Sequence, residues 1–96
     1  MAVNRKIVTE ILDYVGADRK STWYVGIATN PEMRLFHDHN VDRENDLWIY
    51  RPVNSEVEAR DTERYLLDFY GFKGGTGGGD NPRFVYAYKI TFRTNS

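Results

Sequence analysis

Six residues, Trp23-Tyr24-Val25-Gly26-Ile27-Ala28, form an apolar run that stops abruptly at Thr29-Asn30-Pro31-Glu32. A short run of this kind, rich in aromatic and β-branched side chains, predicts a strand. Asn30 is a capping residue type and Pro31 suits a first helical position, so a helix is expected from Pro31 to about His39. On an α-helix residues three apart share a face, which sets Arg34 and His37 together beside the end of the strand that carries Tyr24. A cation, an imidazole and a phenol are therefore expected at one strand-to-helix junction.

The remaining segments supply the scaffold for that junction. Ile7, Val8, Ile11, Leu12 and Val15 make a helical stripe that ends at Gly16, and Ala17 to Ser21 reads as a polar turn. Leu47 to Arg51 reads as a second strand, stopped by Pro52. Ser55 and Glu58 have the spacing of a capping box, which opens a helix that Gly71 closes. Phe84 to Phe92 alternates with high β propensity and predicts the last strand. The charged stretch Asn40 to Asp46 is read as a solvated loop and is assigned no chemistry.

With 96 residues and no cysteine, the chain must fold as one domain, spanning residues 1–96, and must hold itself together by packing. Seven tyrosines, five phenylalanines and two tryptophans provide large buried areas for that purpose. No window approaches the roughly 20 apolar residues needed to cross a bilayer, and no targeting signal is evident, so a soluble cytoplasmic protein without a membrane partner is expected. The formal net charge of -1 argues against a uniformly basic nucleic-acid binder. A local arginine cluster or a bound metal ion can still make a positive cleft on such a protein.

Two features break the pattern of their surroundings. In the third helix Ala59, Glu63, Leu66 and Tyr70 fall on one stripe, and Glu63 is its one charged member. A carboxylate on an apolar face needs a partner, for which a divalent metal, Arg34, or a neighbouring Arg60 or Arg64 would serve. The second feature is the tract from Gly71 to Pro82, which contains six glycines. It lacks the lysine and hydroxyl residue of a P-loop and is read as a loop, whose bare amides could touch a phosphate backbone beside Lys73 and Arg83.

Tyr24-Val25-Gly26 followed by Thr29, Pro31, Arg34 and His37 resembles the second half of the GIY-YIG nuclease signature. Ala59, Glu63 and Leu66-Leu67 look like that family's alanine-and-glutamate helix. A GIY strand is missing upstream, and Val85-Tyr86-Ala87-Tyr88-Lys89-Ile90 resembles it instead, with Tyr86 at the tyrosine position and Tyr88 or Tyr14 as alternatives. The resemblance implies an α+β fold, a small three-stranded antiparallel sheet with about three helices, in which the C-terminal strand lies beside the Trp23 strand.

The same resemblance implies a metal-dependent endonuclease acting on DNA, with RNA as a possible substrate. Glu63 would bind Mg²⁺ or Mn²⁺, Arg34 would stabilise charge on the phosphate, and Tyr24 and Tyr86 would position or deprotonate water. His37 would support them or act as an alternative base, and Lys73, Asn81 and Arg83 would contact nucleic acid. The alternatives are a catalytically silent module that binds nucleic acid or protein, and a small inhibitor or adaptor that joins a partner through a strand edge. Homodimerisation or a protein partner fits a chain of this size.

Overall fold

The computed structural model describes residues 2–75 and 79–96, so Thr76, Gly77 and Gly78 of the glycine tract lie outside the described residues. The architecture is α+β. Helix α1 (Arg5–Val15) is followed by a 3₁₀ turn (Lys20–Thr22), strand β1 (Trp23–Ala28), a π-helix (Met33–Asp38), strand β2 (Trp48–Pro52), helix α2 (Glu56–Tyr70) and strand β3 (Phe84–Lys89). The strands form one antiparallel sheet in the order β1-β3-β2. The last strand is thus the central one and lies beside β1, as expected, with Tyr24 opposite Tyr88 and Gly26 opposite Tyr86. Among the described residues no helix is long and apolar enough to cross a membrane.

The helix boundaries follow from their caps. The Asn4 side chain accepts from the Ile7 amide and Gly16 ends α1 at positive φ, where glycine carries no steric penalty. Ser55 caps α2 by accepting from the Glu58 amide, and Gly71 closes it in the left-handed conformation. The reciprocal half of the expected capping box is displaced by one residue. The Glu58 carboxylate accepts from the Asn54 amide and from the Asn4 side chain, so it ties the start of α2 to the start of α1. Strand β3 ends at Lys89 rather than running on to Phe92, because Lys89 pairs with Trp23, the first residue of β1, and the chain then turns over Thr91 and Thr94.

Period-two alternation divides the core into two layers. Trp23, Val25, Ile27, Ile49, Val85 and Ala87 face α1 and α2, where they meet Ile7, Ile11, Ala59 and Leu66. The opposite face carries Tyr24, Ala28, Tyr86 and Tyr88, covered by Leu35 of the π-helix and by Val41. The tyrosine layer holds the polar groups, so the sheet separates a dry core from a layer with chemistry in it.

β1 is an edge strand only in the formal sheet order. The Val25 amide donates to the Lys73 carbonyl at 2.8 Å, and the Lys73 amide donates to the Trp23 carbonyl at 2.9 Å. The start of the glycine tract therefore satisfies the outer side of β1, which would otherwise be open to another strand. At the other end of β1 the Arg83 amide donates to the Ala28 carbonyl and the Thr29 hydroxyl donates to the Asp80 carbonyl.

Candidate active site

The segment after β1 begins as the sequence predicts, with Asn30 accepting from the Met33 amide. It then winds wider than an α-helix. The His39 amide donates to the Arg34 carbonyl at 2.8 Å, an i to i+5 bond. This extra residue per turn removes the expected alignment of Arg34 with His37. The His37 ring is 83 % exposed and pairs with Asp38, holding that carboxyl below its usual range, and it does not join the tyrosine layer. His39, five residues after Arg34, occupies that place and is 4 % exposed. The expectation that His37 supports catalysis rested on an α-helical period; the wider turn gives the position to His39.

His39 is fixed from both sides of its ring. Its Nδ1 lies 2.6 Å from the carbonyl oxygen of Asn95, which can only accept, so Nδ1 carries the proton and donates. Nε2 is then a lone-pair acceptor, 2.7 Å from the Tyr86 hydroxyl, which donates to it. The Asn95 amide returns a bond to the His39 carbonyl at 2.7 Å, and the Tyr88 hydroxyl sits 3.1 Å from Nδ1. The ring lies among Tyr24, Tyr88 and Tyr86, with centroid distances of 4.7, 4.8 and 5.5 Å. Burial pulls His39 below the ordinary imidazole range despite its bond to Asn95, so the ring is neutral at pH 7.

Tyr24 and Tyr86 stack with their centroids 6.4 Å apart. Tyr86 is fully covered, and burial raises its hydroxyl well above the ordinary phenol value, with Arg34 pulling the other way. Tyr24 is 8 % exposed and is the phenol nearer solvent; burial raises it too, Arg34 opposes that, and Glu63 adds to it. Tyr88 is pushed up to about 12 by burial, and its bonds to His39 and Asn95 make it a brace for the imidazole. Of the tyrosines considered for the missing strand, Tyr86 holds the position beside Arg34. Tyr14 lies on α1, where its ring packs edge-on against Trp23 and its hydroxyl accepts from the Trp48 amide.

Arg34 and Glu63 approach the tyrosine pair from different elements. The guanidinium of Arg34 interacts with both phenols, and its buried Nε lies 3.6 Å from the Asp38 carboxylate, an ion pair too long for a hydrogen bond, with no hydrogen-bond partner among the described residues. Glu63 on α2 borders a cavity of about 360 Å³, together with Arg64, Leu67, Gly74 and Gly75. Burial raises its carboxyl to about 7, against the pull of Arg60 and Arg64. Arg60 pairs with Glu56 at 2.8 Å. Gly74 and Gly75 let the loop reach this cleft. A side chain at Gly74 would come within 2.5 Å of Leu67 and 2.8 Å of the Val25 carbonyl, and one at Gly75 would come within 3.2 Å of the Tyr24 hydroxyl.

The expected nucleic-acid contacts fall at the two ends of β1. Lys73 is exposed beside Tyr24, whereas Asn81 and Arg83 are exposed beyond Ala28. Asn81 adopts positive φ and accepts from Arg83 Nε, while Arg83 also donates to the Asn54 carbonyl. The structure therefore brings Tyr24, Arg34, Glu63 and Tyr86 into one neighbourhood and leaves His37, Asn81 and Arg83 outside it. His39 is the group that sequence reasoning missed. A histidine followed by no apolar stripe gave no signal of burial, and only the π-turn reveals it.

The cleft is lined by two carboxylates, Glu63 and Asp68, and no group of three or more His, Cys, Asp or Glu side chains clusters among the described residues. That donor set fits Mg²⁺ or Mn²⁺, which commonly take one or two protein carboxylates and complete their shell with water and phosphate oxygen. No protein-family model matches the chain, and neither a curated protein nor a solved structure matches it.

Proposed function

We propose that this chain is a metal-dependent endonuclease of the GIY-YIG type, hydrolysing phosphodiester bonds in DNA, with RNA as the second polymer to test. One observation carries the reading. The Arg34 Nε is buried and makes no hydrogen bond among the described residues, with the Asp38 carboxylate 3.6 Å away as its ion-pair partner, while the half-buried Glu63 carboxyl and the Arg34 charge both act on Tyr24. A phosphate satisfies the arginine and a divalent cation satisfies the carboxylate of Glu63, and a phosphodiester with its counter-ion brings both at once.

Glu63 would hold the cation, which when bound polarises the phosphate and lowers the pKa of attached water. Arg34 lies where negative charge gathers on the phosphate oxygens as the bond to water forms. Tyr24, nearer solvent and beside Glu63, orients the attacking water. The water oxygen would bond to phosphorus as the bond to the leaving sugar oxygen breaks. Tyr24 would take the proton of the water and give its own towards Tyr86, whose hydroxyl would pass one to Nε2 of His39 while Nδ1–H stays bonded to Asn95, and the leaving oxygen would take a proton from solvent. The proton thus has a neutral acceptor already aligned, as in other base-and-orienter pairs.

The reading is tested by incubating labelled single- and double-stranded DNA and RNA with the protein in Mg²⁺, Mn²⁺ or chelator, alongside Glu63→Gln. Metal-dependent cutting that falls at least about 100-fold in the variant is expected, the scale of losing one charge-stabilising group. The full burial of Tyr86 favours a second reading, a non-cleaving module that binds nucleic acid or protein at the same cleft. Well-folded protein that binds a polymer and cuts none would establish that one.

The raised carboxyl of Glu63 gives a second, activity-free test. Its folded pKa of about 7 exceeds the ordinary 4.5, so the folded state holds this proton more tightly than the unfolded chain. That contribution to stability is complete below about 4.5 and is lost as the pH rises through about 7. Glu63→Gln is therefore expected to melt with the wild type at pH 4.5 and above it at pH 8. Adding Mg²⁺ at pH 8 should raise the melting temperature of the wild type and leave the variant unmoved. Identical melts for both proteins at both pH values would remove Glu63 from the candidate metal site.

A further inference from the structure

We infer that the surface of α2 next to Glu63 is a stacking site for an unpaired nucleobase, which makes single-stranded nucleic acid the polymer this cleft takes. The inference rests on the nuclease reading for its choice of ligand, but its own observations lie on another face of the helix. Tyr65 and Phe69 are four residues apart on α2, and their rings lie 5.2 Å apart at an angle of 5°. Tyr70 meets Phe69 edge-on at 5.0 Å. Phe69 is nevertheless 68 % exposed, so this short stack ends in solvent at a large apolar ring.

What belongs on that ring is indicated by its rim. Phe69, Tyr65, Asp61, Arg64 and Asp68 line a pocket of about 270 Å³, and Arg64 and Asp68 also line the cleft that holds Glu63. A chain whose phosphate reaches the Glu63 side would pass Arg64, which lines both hollows, and bring a neighbouring base towards Phe69. Arg5 adds a second cation, its guanidinium 5.3 Å from the Tyr65 ring centre. The carboxylates of Asp61, one of whose oxygens accepts from the Ala2 amide, and of Asp68 repel a phosphate placed on them and can accept from an N–H on the edge of a base, such as N3–H of thymine. A flat ring with a polar edge on an anionic backbone fits this set, whereas a purely apolar protein side chain leaves the charged rim without partners. Bases inside a duplex are covered by their own neighbours and cannot reach Phe69.

The test is binding in EDTA, where no cleavage is required. Fluorescence anisotropy would compare a labelled twelve-residue thymidine strand with a twelve-pair duplex on wild type, Phe69→Ala and Phe69→Trp. Phe69→Ala is expected to weaken single-strand binding about 10-fold or more, the scale of losing one base–aromatic stack. Duplex binding should change by less than about twofold, Phe69→Trp should restore the loss, and an abasic strand should not distinguish the proteins. Phe69 is exposed, so the variant keeps its fold.

Absence of single-strand binding by the wild type, an unchanged single-strand affinity in Phe69→Ala, or an equal loss on both polymers would overturn the inference. So would sedimentation showing a wild-type dimer that Phe69→Ala converts to monomer, which would make the patch a self-association face. A protein that cuts nothing but shows Phe69-dependent single-strand binding would lose the nuclease reading and keep this one. Glu63-dependent cutting of duplex DNA that ignores Phe69 would do the reverse.

Discussion

Tyr86→Phe is expected to lower cleavage by about 10²- to 10⁴-fold while the chain still folds, the range over which a positioned proton-transfer group contributes. The ring, which fills the space between Gly26 and Tyr50 in the sheet register, is kept. What disappears is the bond of 2.7 Å to His39 Nε2 and with it the aligned proton path. The variant also leaves that buried acceptor without its donor, which costs about 1–3 kcal/mol and should appear as a lower melting temperature. Cleavage at the wild-type rate would assign the chemistry to Tyr24 alone and reduce the Tyr86–His39 pair to a structural bond. Tyr24 is untouched but Arg34 loses its own interaction with the Tyr86 hydroxyl, so substrate binding measured in chelator should weaken far less than cleavage falls.

Gly26→Ala is expected to be the most damaging glycine-to-alanine substitution among the described residues. A methyl group there would stand 2.4 Å from both Cζ and the hydroxyl oxygen of Tyr86 and 2.9 Å from Cε2, far inside contact distance. Tyr86 cannot give way, being fully covered and bonded to His39. Overpacking of this kind costs about 1–3 kcal/mol or more, and a domain of this size loses roughly 4–8 °C in melting temperature for each kcal/mol. Activity should fall with it, since moving Tyr86 breaks its bond to His39. A mutant cycle isolates the cause. In a Tyr86→Ala background, itself destabilised by the lost ring, the added Gly26→Ala should cost little further stability. An equal cost in both backgrounds would mean that the glycine serves the backbone of β1 and not the ring above it.

The site was legible where local chemistry decides it. Arg34 and Tyr24 stand on either side of a strand-to-helix junction that Asn30 and Pro31 announce, and Glu63 declared itself by sitting in the apolar stripe of Ala59 and Leu66. His39 was not legible. The reading of Arg34 with His37 assumed the α-helical period, and the segment instead closes at i+5. That choice is made by the tyrosine layer and by the Asn95 carbonyl, which give the His39 ring donors and acceptors that an α-helical path would offer to a different residue. The role of the glycine tract was half legible: a loop could be read for its described residues, but not that Lys73 completes the edge of β1 or that Gly75 lies against Tyr24.

By itself the sequence determined the order and type of the elements, because caps, stop residues and hydrophobic period act over a few neighbouring residues. It also determined that one carboxylate would face a need for a counter-charge. Tertiary structure alone decided which histidine meets the tyrosines, why residue 26 must lack a side chain, and that β3 is the central strand with β1 and β2 on either side. These depend on contacts between segments far apart in the chain, where a bond such as Tyr86 to His39 outweighs local preference and no nearby residue records the outcome.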